Sequence, residues 1–500
     1  MLAAAQTDYR PPNPSKEPVM SDPLAILDAT AQAELVRTGK ISPLELVESA
    51  IVRIEKLNPT LNAVIYPLFE KARAQVRSAE LGRGAFRGVP FLLKDLVAHS
   101  AGDPYSAGMG FLKRRGWREP EDTFLVQRLR AAGFVIAGKT NTPELGLVTT
   151  TEPIAFGPTH NPWDTTRSPG GSSGGSAAAT ASGMVPAAHA NDGGGSIRIP
   201  ASMCGLVGLK PSRGRVSQGP DVGESWAGFT AEFVVTRSVR DTAGILDVVA
   251  GPMRGDPYVA PPPVRPYSQE IALPAGRLQI GVLARTPRLE FSLHADCAAA
   301  VRAVGVLLES LGHHVEESHP KALEDPAIGG HVARVIMAWT ARDLDVWRLR
   351  TGESIAPGDV EPLTWEAAER GRQIGASEYI QAVDGAQAWT RAVAAWWEEG
   401  FDLLLTPTLG EPPPLLGEFT ATPEQPLQGW VRSTPFAIFT QPFNVTGQPA
   451  ISLPLYFSGT GLPIGVQLVA AYGHEDLLLR VAAQLEAARP WADRRPPVSA

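Results

Sequence analysis

Glycine and serine fill the stretch from Ser168 to Pro211, where a packed core would normally hold apolar side chains. The cluster runs directly into SAAATASGM, which predicts a small-residue helix, and then into VPAAHAN, which predicts a buried strand. A flexible linker would lack such periodic apolar residues. The stretch is therefore interpreted as an ordered region in which backbone groups approach each other, or a ligand, with no Cβ between them.

Immediately before Ser196 stand three consecutive glycines, Gly193, Gly194 and Gly195. Their amides are predicted to form an oxyanion hole, because no side chain shields them. Ser196 opens a short apolar segment, so its hydroxyl is expected at a helix start, either as an N-cap or as a nucleophile. Asp192 and Arg198 flank this loop and are expected to hold its shape through hydrogen bonds or an ion pair.

A serine nucleophile needs a base at neutral pH. Histidine is the usual base, but four histidines are each expected to be structural: His189, His313, His314 and His319. Lys94 follows the apolar run GVPFLL, which predicts a strand buried on both faces. Burial would lower the pKa of this lysine and make its neutral amine accessible near pH 7. An ion pair with the adjacent Asp95 is the alternative interpretation.

The segments PFLLKD, GGSSGGSAAA and DGGGSIRIPA occur in this order and resemble the amidase signature family. The resemblance extends from about residue 23 to about residue 491. It implies a triad in which Ser196 is the nucleophile, Ser172 in a cis peptide is the bridging serine and Lys94 is the base. By analogy with the family, Gly146 is expected to contribute backbone to the substrate cleft. The resemblance implies no metal and no organic cofactor.

Two motifs depart from the common family pattern. The lysine motif is often KDN, whereas here Leu96 follows Lys94-Asp95. A GxDxGGS form is usual before the nucleophile, whereas here Asn191-Asp192 precede three glycines. The segments HANDGGGSIRIPAS and GLKPSRGR are similar to those of the family branch that contains 6-aminohexanoate cyclic dimer hydrolases. This implies a stand-alone amidohydrolase that cleaves C–N bonds of linear or cyclic carboxamides through an acyl-Ser196 intermediate. A carbamate (urethane) or ester hydrolase with the same triad, and a partner-dependent amidotransferase subunit, are the alternatives.

Other function classes compete for the same residues. The run Gly170 to Gly174 satisfies G-x-S-x-G, the nucleophile elbow of α/β-hydrolases, with Ser172 as the nucleophile. The preceding NPWDTTRSPG contains two prolines and no apolar strand, which argues against an elbow. A phosphate-binding loop would need GK[ST] after the glycines. A non-catalytic protein of the same fold would be favoured by loss of a triad residue, and all three are present.

Composition bounds the remaining alternatives. With 500 residues, 44% hydrophobic and 19% charged, the chain is long and apolar enough for a large globular core. The net charge of −7, with no basic cluster, argues against nucleic acid as a partner. No apolar run is long enough to span a membrane, and the N-terminus lacks signal-peptide features. Isolated Cys204 and Cys297 suit a reducing compartment. We expect a cytoplasmic monomer or homodimer acting on a small amide, carbamate or ester.

The predicted fold class is α/β, with one large domain in which helices flank a mixed, mostly buried sheet. Residues 1–20 are expected to be a disordered N-terminal extension and 21–495 the amidase signature domain. Within it we expect a helical cover (21–85), a catalytic core (86–215) and the rest of the core (216–495). Strands are predicted over 88–93, 134–138, 185–190, 206–209, 278–283, 401–406, 450–455 and 464–470. Helices are predicted over 23–38, from Ser42-Pro43-Leu44-Glu45 onward, and over 122–132, 296–311 and 474–488.

Tryptophan is concentrated in a helix-rich region around 330–400, which is expected to form the substrate entrance. The residues are Trp339, Trp347, Trp365, Trp389, Trp396 and Trp397. They either line an apolar entrance or pack the helices onto the core. The pocket hypothesis is a roomy, partly aromatic site for uncharged, bulky or linear amides.

Overall fold

The computed structural model describes residues 22–288 and 290–500, so the predicted extension at 1–20 lies outside the described residues. The helices are α1 (Ala29–Arg37), α2 (Pro43–Leu61), α3 (Phe69–Arg77), α4 (Gly110–Arg115), α5 (Phe124–Ala131), α6 (Gly174–Ala181), α7 (Arg198–Cys204), α8 (Val239–Val249), α9 (Tyr267–Glu270), α10 (Ala295–Ser310), α11 (Ala327–Thr351), α12 (Pro362–Arg372), α13 (Ala376–Glu398), α14 (Gln428–Ala437), α15 (Gln441–Thr446) and α16 (Glu475–Ala488). The strands are β1 (Val64–Pro67), β2 (Pro90–Lys94), β3 (Val135–Thr140), β4 (Ala187–Asp192), β5 (Val207–Lys210), β6 (Ala231–Thr236), β7 (Gln279–Val282), β8 (His314–Glu317), β9 (Leu403–Pro407), β10 (Ala450–Phe457) and β11 (Pro463–Ala470).

These strands form one mixed sheet in the order β1-β3-β2-β4-β6-β5-β10-β11-β9-β7-β8. β2 pairs in parallel with β3 and β4. The pairs from β4 across to β9 are antiparallel, and β9, β7 and β8 are parallel again. The predicted fold class, a single large α/β domain with a mixed sheet, is confirmed.

All eight predicted strands are present, with bounds that differ by a few residues. Three strands were not predicted, and each carries a weak signal. β1 has only four residues and β8 reads HVEE, a mostly exposed strand at the sheet edge. β6 is buried along its whole length, but Glu232 interrupts its apolar run. The missed strands are therefore a four-residue strand at one sheet edge and two strands in which glutamate interrupts the apolar pattern.

The predicted helices are also present, with one changed boundary. Ser42 and Glu45 form the predicted capping box of α2: the Ser42 amide donates to the Glu45 carboxylate at 2.8 Å, and the Glu45 amide donates to Ser42 Oγ at 3.2 Å. α1 begins at Ala29 rather than near residue 23, because the Asp28 side chain caps it by accepting from the Ala31 amide. The segment expected to be a helical cover, 21–85, also contains strand β1. Within the described residues, no helix combines the length and the apolarity that crossing a membrane requires.

The glycine cluster of the sequence lies where backbone meets backbone. A Cβ at Gly171 would lie 2.3 Å from the carbonyl oxygen of Thr150. A Cβ at Gly175, in the first turn of α6, would lie 2.5 Å from the amide nitrogen of Asn141, just beyond β3. These glycines let the start of α6 rest directly on the loop that follows β3. This close approach positions Ser172, which lies between them.

We expect Gly175→Ala to lower the free energy of unfolding by about 2 kcal/mol or more, because the new methyl group would overlap main-chain atoms that cannot rotate away. Gly375→Ala is the matched control, since a Cβ there meets no atom within 4 Å. Urea unfolding of the two variants measures the difference. Equal midpoints would show that the close approach of α6 carries no packing constraint.

Candidate active site

Lys94 is the last residue of β2, and its side chain is completely buried. Its Nζ lies 2.6 Å from Ser172 Oγ and 2.5 Å from Asn191 Oδ1. The ion pair with Asp95, considered as an alternative from the sequence, is not formed. Asp95 instead lies 2.8 Å from Lys139 Nζ and accepts a hydrogen bond from the Ser106 amide. The Lys94 amine therefore faces hydroxyl and amide groups and not a carboxylate.

Burial lowers the pKa of Lys94 to about 7, although the negative charges of Glu232 and Asp192 oppose the shift. Desolvation dominates because the ammonium form loses its hydration shell without gaining a contacting counter-charge. Neutral and protonated forms are therefore both accessible near pH 7. A lysine in this state can accept a proton and later return it.

Ser172 and Ser196 lie in two different loops, each next to the start of a short helix. Ser172 precedes α6 and follows a cis Gly171-Ser172 peptide bond, and it is almost fully buried. Ser196 lies in the loop between β4 and α7 and lines the large cleft. Gly146 also lines this cleft, and a Cβ on it would lie 3.1 Å from Ser172 Oγ. The structure thus brings Lys94 and Ser172 into contact and places Ser196 and Gly146 in the cleft wall, with Gly146 next to Ser172.

Asp192 and Arg198 form a bidentate ion pair inside the loop, with Nε–Oδ2 and Nη2–Oδ1 distances of 2.9 Å. Both side chains are completely buried. Burial alone raises the pKa of Asp192, but the Arg198 guanidinium lowers it to about 2. The carboxylate also accepts hydrogen bonds from the amides of Gly195 and Ile197. The pair joins the two ends of the loop that carries Ser196.

The predicted oxyanion hole needs one correction. The Gly195 amide donates to Asp192 Oδ1 at 2.7 Å, so this group is occupied and is not free to bind an oxyanion. Gly194 lines the cleft with Ser196, and its carbonyl accepts a hydrogen bond from Thr440 Oγ1 at 2.7 Å. Gly193 lies under the ring of Trp226, where a Cβ would come within 2.8 Å of the ring. The set of three predicted donors is thereby reduced to Gly193 and Gly194.

The cleft has a volume of about 440 Å³ and largely apolar walls. Of the six tryptophans of the 330–400 region, only Trp389 is among its lining residues. Packing accounts for others: Trp347 lies against Tyr105 and Trp117, and Trp396 stacks on Phe401. Other residues of this region line the cleft, among them Val332 and Ile336 of α11.

Several site residues were given no role from the sequence. Trp226 and Trp430 line the cleft, and Asn191 contacts the Lys94 amine. No local sequence signal identifies Asn191, because its contact with Lys94 joins residues 97 positions apart and depends on the pairing of β2 with β4.

The histidines lie apart from the two serines. His189 pairs with Glu232, His313 with Gln484 and His319 with Glu324, while His314 starts β8. Across residues 22–288 and 290–500, no cluster of three or more His, Cys, Asp or Glu side chains is arranged to hold a metal ion.

Comparison with known proteins gives consistent relatives. The family model for amidases matches residues 45–479. The chain is similar to a 6-aminohexanoate-cyclic-dimer hydrolase of Paenarthrobacter ureafaciens, with 49% identity over 478 residues, covering 94% of this chain and 96% of that protein. It is similar to the solved structure of a 6-aminohexanoate cyclic dimer hydrolase, with a TM-score of 0.92 and 47% identity over 95% of this chain and 99% of that chain. A bacterial aryl acylamidase of the amidase signature family matches with a TM-score of 0.84 and 28% identity over 94% of this chain and 98% of that chain.

We expect Arg198→Lys to lower the free energy of unfolding by about 3 kcal/mol, because one ammonium group cannot replace the bidentate contact and Asp192 would stay buried without it. Arg37→Lys is the control, since Arg37 forms the same bidentate geometry with Glu34 on the exposed surface. There the midpoint of urea unfolding should stay unchanged. Similar shifts for both variants would contradict the structural role of the buried pair.

Proposed function

The chain belongs to the amidase signature family, and on this premise we propose that Ser196, Ser172 and Lys94 form its catalytic triad. The enzyme is an amidase, a hydrolase that acts on carbon–nitrogen bonds other than peptide bonds. The observation that carries the proposal is the 2.6 Å contact between the buried Lys94 amine and Ser172, beside the loop that presents Ser196 to the cleft.

Acylation proceeds by a proton relay. Neutral Lys94 accepts a proton from Ser172, Ser172 accepts one from Ser196, and Ser196 Oγ attacks the amide carbonyl carbon. The negative charge that develops on the carbonyl oxygen is stabilised by the amides of Gly194 and Gly193. The relay then runs in reverse and protonates the leaving nitrogen, so that the C–N bond breaks and the acyl group stays on Ser196.

Deacylation uses the same groups. A water molecule gives its proton through Ser172 to Lys94 while its oxygen attacks the acyl carbon. Collapse of the second tetrahedral intermediate returns the proton to Ser196 Oγ and releases a carboxylic acid. Asn191 serves both stages, because its side-chain oxygen accepts from Lys94 at 2.5 Å and keeps the amine directed at Ser172.

The cleft supports an uncharged substrate. Arg288 is the only charged side chain among its described lining residues, and Trp226, Trp389 and Trp430 contribute aromatic walls. We propose linear or cyclic carboxamides of ω-amino acids as the substrate class, in line with the relatives named for 6-aminohexanoate cyclic dimer. Opening such a ring creates an ammonium and a carboxylate at once. The charged product is poorly matched to apolar walls, which favours its release.

Carbamates and esters present the same electrophilic carbonyl to the triad, so the shape of the cleft decides between them and amides.

We further propose that the enzyme works in the cytoplasm as a monomer or homodimer, without a partner protein. The two cysteines support a reducing compartment, since Cys204 and Cys297 are both buried and free.

We expect Ser196→Ala, Ser172→Ala and Lys94→Ala each to lower kcat for amide hydrolysis by about a thousandfold or more, since the three groups act as one relay. The panel is one acyl group presented as anilide, primary amide, carbamate and ester, together with 6-aminohexanoate cyclic dimer. Ser182→Ala is the control, because this buried hydroxyl near the end of α6 only donates to the Ala179 carbonyl. Full activity of Ser196→Ala would refute the triad.

The acid side of the kcat/KM profile should follow Lys94. Below its pKa of about 7 the amine already carries the proton and cannot accept another, so kcat/KM should fall tenfold per pH unit. A variant of Lys210 is the control, because burial and the charge of Arg198 lower the pKa of this lysine to about 7 as well. Its Nζ donates to the Pro211 carbonyl and not to a triad residue. Lys210→Met should keep the acid limb, whereas the residual activity of Lys94→Ala should lack it.

A further inference from the structure

A second titratable pair lies inside the sheet and takes no part in the relay. His189 Nε2 lies 2.8 Å from Glu232 Oε2, and both side chains are buried. His189 is on β4, and Glu232 is the β6 residue directly opposite Asn191. Asn191, the β4 residue opposite Glu232, contacts the Lys94 amine at 2.5 Å. The Glu232 carboxylate therefore lies one strand away from a residue that holds the amine.

The hydrogen-bond pattern fixes the charge of His189. Nδ1 of this ring has no hydrogen-bond partner among the described residues, so a protonated ring would bury an unpaired N–H. A neutral ring that donates from Nε2 to Glu232 leaves Nδ1 as a bare acceptor, which costs less. Burial acts in the same direction and lowers the pKa of His189, although Glu232 opposes the shift. The imidazole is thus a neutral donor to the carboxylate and does not cancel its charge.

The other charged groups near Lys94 are already paired. Asp192 is held by Arg198, and Asp95 by Lys139. Glu232 forms no ion pair with a lysine or arginine within the described chain, and His189 is its one described side-chain donor. Of these three carboxylates, Glu232 is therefore the one whose negative charge is not balanced by an arginine or lysine and can act on Lys94.

We propose that Glu232, oriented by His189, is a positioning residue that stabilises the ammonium form of Lys94 from a distance and so sets the pH range of the enzyme. The inference rests on the proposed role of Lys94 as the base. During acylation and deacylation the amine takes up a proton, and the Glu232 carboxylate lowers the free energy of that state without contacting substrate. A carboxylate in direct contact would hold the proton too tightly for its return.

The test is the pH profile of kcat/KM for wild type and Glu232→Gln on the same amide. Loss of the negative charge makes the ammonium less stable, so the acid limb should move to lower pH, by on the order of one pH unit. The plateau kcat should fall because the protonated relay is less stable. KM should stay close to that of wild type, because Glu232 does not line the cleft.

His189 supplies a second, independent pair of variants. His189→Leu removes the donor that orients the buried Glu232 carboxylate, so the acid limb should move in the same direction as in Glu232→Gln. His189→Gln keeps an N–H donor and should return the limb toward the wild-type position. This pair keeps the proposal testable if Glu232→Gln does not fold.

Glu270→Gln is the matched control, since Glu270 is a similarly buried carboxylate that pairs with Arg480 on α16 and faces no triad residue. It should leave the acid limb in place. A wild-type limb near pH 7 that does not move in Glu232→Gln or His189→Leu would overturn the inference, as would an equal shift in Glu270→Gln. Absence of the limb in wild type, or an active Ser196→Ala enzyme, would instead refute the triad itself.

Discussion

The buried ion pair between Asp192 and Arg198 connects the loop between β4 and α7, which contains Ser196, to the rest of the sheet. Arg198 also donates to Gln467 of β11 and to Asn444 of α15, while Asp192 accepts from loop amides. Two charges removed from water are stable together only when their remaining hydrogen-bonding capacity is filled. That requirement brings β4, α7, α15 and β11 into one arrangement. The orientation of the glycine amides and of Ser196 follows from it.

Some buried charged groups of this core form ion pairs, whereas Lys94 contacts no carboxylate, and this difference affects their chemistry. Asp95 and Lys139 form a buried ion pair next to the site, with a distance of 2.8 Å between Oδ1 and Nζ. Among the described residues, the Lys94 amine contacts the uncharged side chains of Ser172 and Asn191. No ion pair therefore holds its proton. Burial raises the energy of the ammonium form, and the more distant carboxylate of Glu232 lowers it again. The balance of these two effects places the pKa of Lys94 at about 7.

Sequence patterns predicted the parts of the site that depend on local order. The buried strand before Lys94, the small-residue helix after Ser172 and the glycine run before Ser196 each leave a continuous signal within about ten residues. Contacts between distant segments left none: Asn191 meets Lys94 across 97 positions, and Trp226 reaches Gly193 from a separate loop. The occupied Gly195 amide was missed for a different reason. A glycine run shows that amides are unshielded but not which of them the neighbouring carboxylate has taken.

The residues that we propose to perform the reaction and those that line the cleft come from different parts of the chain. Lys94, Ser172 and Ser196 all precede residue 200, whereas most of the cleft wall is supplied by helices and loops between residues 287 and 445. Substitutions in the later segment can therefore reshape the cavity while the ion pair and the relay stay intact. Such a division makes the scaffold evolvable: new amides can be accommodated through changes in one half of the gene, with the bond-breaking apparatus inherited unchanged.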